Sequence, residues 1–113
     1  MTPNLSLALI SAAQSQKHVT ANEATIGLDA LAQLAVIGVV NAPPGSPSDG
    51  DCYIVGASPI GAFESGAQDN VASYYNGVWT FYTPKSGWIA YRQDASKFYA
   101  FNGASWVLLS TLL

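Results

Sequence analysis

The spacing of apolar residues changes once along the chain, and the change separates two kinds of structure. Between Thr20 and Gly38 the apolar positions recur at helical spacing. Ala24, Leu28, Leu31, Leu34 and Ala35 make one stripe at about 100° per residue, and Ile26, Ala30 and Ile37 widen it along one flank. The polar sector is narrow: Asn22, Thr25, Asp29 and Gln33. A helix lying on one sheet needs an apolar arc of only about 100°, and this arc is roughly twice that. The pattern therefore predicts a helix with two contacts, its own sheet and a neighbouring helix, unless the segment before it covers the second face. Thr20 and Glu23 have capping-box spacing, and Gly38 stands where a left-handed C-cap is favoured. One long helix is predicted, about 21–37 within a segment 20–38.

From residue 51 the period becomes two. Asp51–Val55 reads as a strand, and an irregular connection with Gly61 and Gly66 follows it. The runs 71–75, 78–82, 87–92, 97–101 and 105–109 then alternate with turn signals such as Asn76-Gly77 and Asn102-Gly103-Ala104. Asn-Gly between apolar runs favours a two-residue hairpin, because its turn needs positive φ at both central positions. That loop sets Tyr75 opposite Val78, Tyr74 opposite Trp79 and Ala72 opposite Phe81. Tyr74, Trp79 and Phe81 then share one face, and Val71, Tyr75, Val78 and Tyr82 the other. A weak repeat links Tyr75-Asn76-Gly77-Val78-Trp79 to Phe101-Asn102-Gly103-Ala104-Ser105-Trp106, which predicts two similar hairpins. The fold class expected is α+β: an N-terminal arm and one long helix, followed by a small antiparallel β-meander of about five to six strands.

Two stretches stand outside these patterns. Residues 1–19 are small, apolar and irregular, with Lys17 as the only formal side-chain charge, and are expected to form a partly helical arm. A segment of this kind folds when a partner covers its apolar groups. Leu5, Leu7, Leu9 and Ile10 are the expected contacts, against a neighbouring subunit, a docking protein or the chain's own helix. Residues 39–50 carry Pro43, Pro44, Pro47, Gly45 and Gly50, a composition that reads as a stiff linker before a β domain over 51–113.

Composition sharpens the picture. The chain has 113 residues, 50% of them hydrophobic and only 10% charged. A small domain has much surface for its volume, so part of so apolar a composition must lie outside the core. Contiguous exposed apolar surface marks a partner, and an obligate oligomer is expected, with Ile26, Leu34 and Ile37 of the helix joining the arm's leucines at the interface. Four basic residues and a net charge of −3 leave nothing to neutralise a run of phosphates or to anchor on an anionic membrane, so neither nucleic acid nor membrane is an expected partner. The most apolar run, Ala30 to Val40, is about half a bilayer span. The first residues lack the positive charge of a signal peptide.

The chemistry available is sparse. His18 is the sole histidine and Cys52 the sole cysteine, too few ligands for a transition-metal site and too few for an internal disulfide. No nucleophile elbow or phosphate-cradling glycine loop occurs. Asp49 and Asp51 flank Gly50 and suit an Asx turn better than a calcium cage. No catalytic residue, metal or cofactor is expected. The aromatic residues have more reach: Trp79, Trp88, Trp106 and the tyrosines suit a sheet core, a protein interface or a platform for sugar rings.

Specific runs resemble a known family. Ala12-Ala13-Gln14-Ser15-Gln16-Lys17-His18-Val19-Thr20-Ala21-Asn22-Glu23-Ala24 and Leu28-Asp29-Ala30-Leu31 open the likeness. Pro44 to Val55, Gly77 to Trp88 and the Phe101–Trp106 hairpin continue it, so that it covers about residues 3–108. The family is an uncharacterised domain of alphaproteobacterial phages, prophages and gene transfer agents. The resemblance implies a virion component near tail, head-spike or host-recognition proteins, with no inherited catalytic residues. The function expected is a non-enzymatic virion module at the base of a head spike or tail fibre. It would assemble with itself, as a homotrimer, and dock on a head or tail structural protein or on the spike or fibre protein itself. The competing expectation is a carbohydrate-binding module that presents Trp79, Trp88 or Trp106 to host polysaccharide.

Overall fold

A computed structural model of the chain describes residues 1–9 and 17–113, with the side chains of 17–21 excepted. Ile10 and the side chains of His18 and Thr20 lie outside the described residues. The chain divides into two compact units, Met1–Gln33 and Leu34–Leu113.

The first unit contains the helix α1 (Lys17–Leu31). It is shorter than the 21–37 expected and lies nearer the start of the chain. Thr20 sits inside it rather than at its opening. The last turn closes with the Ala32 amide donating to the Leu28 carbonyl at 2.9 Å. Gly38 therefore caps no helix. The residues beyond are dominated by β-branched Val36, Ile37, Val39 and Val40, which favour extended backbone.

The helix is also turned relative to the expected stripe. Leu28 is 61% exposed, whereas Asp29, expected in the polar sector, is only 2% exposed. The cause lies in the segment before the helix. Its residues close a tight loop in which the Thr2 amide donates to the Leu7 carbonyl (2.8 Å) and the Leu7 amide to the Thr2 hydroxyl (2.7 Å). Asp29 holds this loop by accepting the amides of Asn4 (2.9 Å) and Leu5 (2.5 Å). A carboxylate is buried at tolerable cost only when its oxygens are hydrogen-bonded, and these are. The described part of the arm is thus fastened to the helix of its own chain.

The second unit holds β1 (Ala35–Val36), β2 (Val39–Val40), β3 (Cys52–Val55), β4 (Val71–Tyr75), β5 (Val78–Tyr82), β6 (Ile89–Arg92), β7 (Lys97–Phe101) and β8 (Trp106–Leu108). They form two mixed sheets, ordered β2-β3-β4-β5 and β1-β6-β7-β8, rather than one meander. The break falls between β5 and β6, where Pro84 has no amide to donate and Gly87 takes a φ of 100°. A tight turn there, Trp88 amide to Lys85 carbonyl at 3.0 Å, sends β6 to pair with β1 instead. Both sheets follow one plan: a two-residue parallel strand, then three antiparallel strands. The stretch read as a stiff linker, 39–50, opens with β2 itself, and its remainder joins β2 to β3 within one sheet, as a parallel pair requires a crossover.

The β4–β5 hairpin has the expected register, with Tyr75 opposite Val78, Tyr74 opposite Trp79 and Ala72 opposite Phe81. Asn76 and Gly77 take φ of 50° and 82°, the positive values the two-residue turn demands. Among the described residues no helix is long and apolar enough to cross a membrane. In its coarse class the protein is a mixed α+β chain, with one α-helix and two small mixed sheets among the described residues.

Candidate interaction surfaces

One aromatic face of the first sheet is already spent on the core. Phe63, in the short 3-10 segment Gly61–Ser65, is fully buried over it. Its ring meets Trp79 edge-on at 5.1 Å and Phe81 at 5.8 Å, and Tyr74 and Tyr53 flank Trp79 at 5.0 and 6.1 Å. Tilted and T-shaped contacts of this kind suit the ring quadrupoles. Val55, Ala72 and Val40 complete the cluster. Trp79 is consequently a half-buried core residue.

Trp106 is engaged too. Its ring packs on Phe101 at 5.4 Å, and its indole N–H donates to the Asp69 carbonyl at 2.8 Å. Trp88 differs: it is half-buried, and among the described residues its side chain has no ring or hydrogen-bond partner. Of the three tryptophans it alone makes neither a ring contact nor a side-chain hydrogen bond among the described residues.

The expected interface residues separate. Leu5, Leu7 and Leu9 are half-buried, as is Ile26 on α1. Leu34 is buried within its own chain. Ile37 belongs to the link between β1 and β2, where its amide donates to the Cys52 carbonyl at 2.8 Å. Ile26 and Ile37 therefore share no helical stripe, because the helix ends between them.

The apolar residues that do face outward escaped the periodicity argument. On α1 they are Ala24 and Leu28, with Ala32 just past its end. On the second sheet, register places Ile89, Tyr91, Phe98 and Val107 on one face; Phe98 is 54% exposed and touches Tyr91 edge-on at 5.0 Å. A recess of about 380 Å³ beside Phe98 is lined by Leu108, Leu109 and Leu113. Strand alternation at Ile89 and Phe98 was the available signal; what it lacked was the knowledge that the second sheet stands by itself.

Charged groups are used locally. The Arg92 guanidinium donates to both oxygens of Asp94 (3.0 and 2.6 Å) and lies over the Tyr99 ring at 5.1 Å. This pairing lowers the Asp94 pKa and raises that of Arg92. Burial raises Asp69 above the ordinary carboxylate range. Burial, with Asp51 adding to it, raises the Tyr53 phenol. Asp51 accepts the Ser48 amide and Asp49 the Asn76 amide, both at 2.9 Å, so these carboxylates hold turns. Among the described residues no three His, Cys, Asp or Glu side chains converge as a metal cage. Cys52 is a buried thiol outside any disulfide, and it donates to the Gly50 carbonyl at 3.6 Å.

Fold and surface together define a small α+β module whose described side chains are given to packing, turns and apolar display. The chain belongs to the family described as a protein of unknown function (DUF2793), whose model matches residues 21–107. No curated protein matches the chain.

Proposed function

We propose that this chain is a non-enzymatic structural module of a phage or gene-transfer-agent particle. In this reading it forms or attaches the base of a head spike or tail fibre, associating with itself, in the expected form as a homotrimer, and docking on a head or tail protein. The observation that carries the proposal is the outward display of Leu28, Ile89 and Phe98, each at least half exposed, on a chain with few charges. Apolar groups of this size are covered when a partner is present. The chain's resemblance to an uncharacterised domain of alphaproteobacterial phages, prophages and gene transfer agents gives the context. Mass spectrometry of density-purified particles tests the proposal. The chain is expected at a fixed ratio to the major head or tail protein, and Phe98→Glu is expected to leave the fold intact while removing it from the particle. Particles that lack the wild-type chain overturn the reading.

A second reading rests on Trp88. A half-buried tryptophan with an uncommitted indole N–H suits the C–H face of a sugar ring. It requires a saturable change in tryptophan fluorescence with host polysaccharide that Trp88→Ala abolishes. The structural-module reading expects no such change.

A further inference from the structure

We propose that two copies of this chain pair edge to edge through β5, antiparallel about a two-fold axis at Thr80, which joins their β2–β5 sheets into one continuous sheet. The inference is independent of the virion reading.

Open sheets expose a row of backbone donors and acceptors at each edge, and proteins blunt such edges with short strands, charge or proline. The two sheets have four edges, and three follow the first device: β1 and β2 have two residues each and β8 three. The fourth does not. β5 is five residues, Val-Trp-Thr-Phe-Tyr, without charge or proline. The hairpin register fixes which of its backbone groups are free. Because Tyr75 and Val78 flank a two-residue turn, Val78, Thr80 and Tyr82 direct their amides and carbonyls to β4, and Trp79 and Phe81 direct theirs outward. Among the described residues the backbone groups of Trp79 and Phe81 have no partner.

A second β5 matches this edge at every position. With Thr80 on the axis, Trp79 of one copy stands opposite Phe81 of the other, and each such pair exchanges both of its backbone hydrogen bonds. The same register sets Val78, itself 60% exposed, against the other copy's Tyr82, and Thr80 against Thr80. Aromatic pairs, aromatic–β-branched pairs and Thr–Thr pairs are the favourable cross-strand combinations, and no like charges meet. Any slide from this register leaves residues of the five unpaired, so the contact is closed and isologous.

Cysteine cross-linking of the full chain tests the pairing. A central, non-hydrogen-bonded pair has its Cα atoms about 4.5 Å apart, within the range a disulfide spans. Thr80→Cys is therefore expected to form a covalent dimer rapidly on mild oxidation, and buried Cys52 does not compete. Val78→Cys faces Tyr82 across the axis and is expected to cross-link slowly. The double variant Val78→Cys/Tyr82→Cys restores the bridge. In sedimentation experiments Thr80→Lys sets two ammonium groups against each other and is expected to weaken dimerisation by roughly five-fold or more. Circular dichroism checks that each variant keeps its fold. If Thr80→Cys cross-links no faster than Val78→Cys, or Thr80→Lys associates as the wild type does, the pairing is wrong. Loss from particles tests the virion reading alone.

Discussion

The indole N–H of Trp106 donates to the backbone carbonyl of Asp69 at 2.8 Å, tying the edge strand of the second sheet to the loop that enters β4 of the first. Because the acceptor is a main-chain atom, Trp106→Phe removes the donor and keeps much of the ring contact with Phe101. A loss of about 1 kcal/mol is expected, read as a lower urea midpoint. An unchanged midpoint shows that the bond does not fasten the sheets.

Asp69 itself carries a pH dependence. Burial raises its pKa above the ordinary 3.8, so the folded chain holds this proton more tightly than the unfolded one. Its contribution is most favourable below 3.8 and is lost as pH rises through the raised value. Asp69→Asn is expected to be more stable than wild type at neutral pH, with the difference vanishing in acid. Asp94 has the opposite sign: its pKa is lowered by Arg92, so its contribution is present above the ordinary value and lost as pH falls. Asp94→Asn is expected to be the less stable variant at neutral pH. Denaturant titrations of both at the two pH extremes check the crossing signs.

The carboxylate of Asp29 organises the described arm. Asp29→Ala leaves the amides of Asn4 and Leu5 without their acceptor and is expected to cost about 1–3 kcal/mol. Hydrogen exchange should quicken at Asn4 and Leu5 while the β5 amides keep their protection. Uniform loss of protection across both units would show that Asp29 supports the whole chain instead.

At Gly66 the constraint is space, not backbone freedom. Its φ is −101°, open to any residue, yet an added Cβ would stand 2.5 Å from the Phe81 ring. Gly66→Ala must push Phe81 off Phe63, at a cost of about 1–3 kcal/mol. A double-mutant cycle with Phe81→Leu should recover part of that loss; simple additivity would refute the clash.

The legible parts of this fold were those in which a local signal decides the structure. Asn76-Gly77 requires two positive φ values, and that alone fixes Tyr74 opposite Trp79. Six of the eight strands were visible through alternation and turn residues. Leu34 to Val40 misled because an apolar run continues a helical stripe as readily as it makes two short strands, and only its partners, Tyr91 and Ile54, distinguish the two. β-branching at Val36, Ile37, Val39 and Val40 was the local signal for strand. Asp29 could not be placed by periodicity, since its burial depends on two amides more than twenty residues away. Leu28 and Phe98 face outward for the same kind of reason: tertiary structure chooses which apolar residues are covered.

The splice at residues 34–40, which gives β1 to one sheet and β2 to the other, has a consequence for how the chain is made. During synthesis β2 gains its partner as soon as Ile54 and Val55 leave the ribosome, whereas β1 must wait until Tyr91 and Arg92 have been added. The first sheet can close early and the second only near the end, with seven residues of one segment held in common. Closing so large a loop is the slow step in forming non-local pairs. A pause or truncation anywhere between β5 and β6 would therefore release a nascent chain with one finished sheet and, beside it, the short strand Ala35–Val36 waiting for a partner.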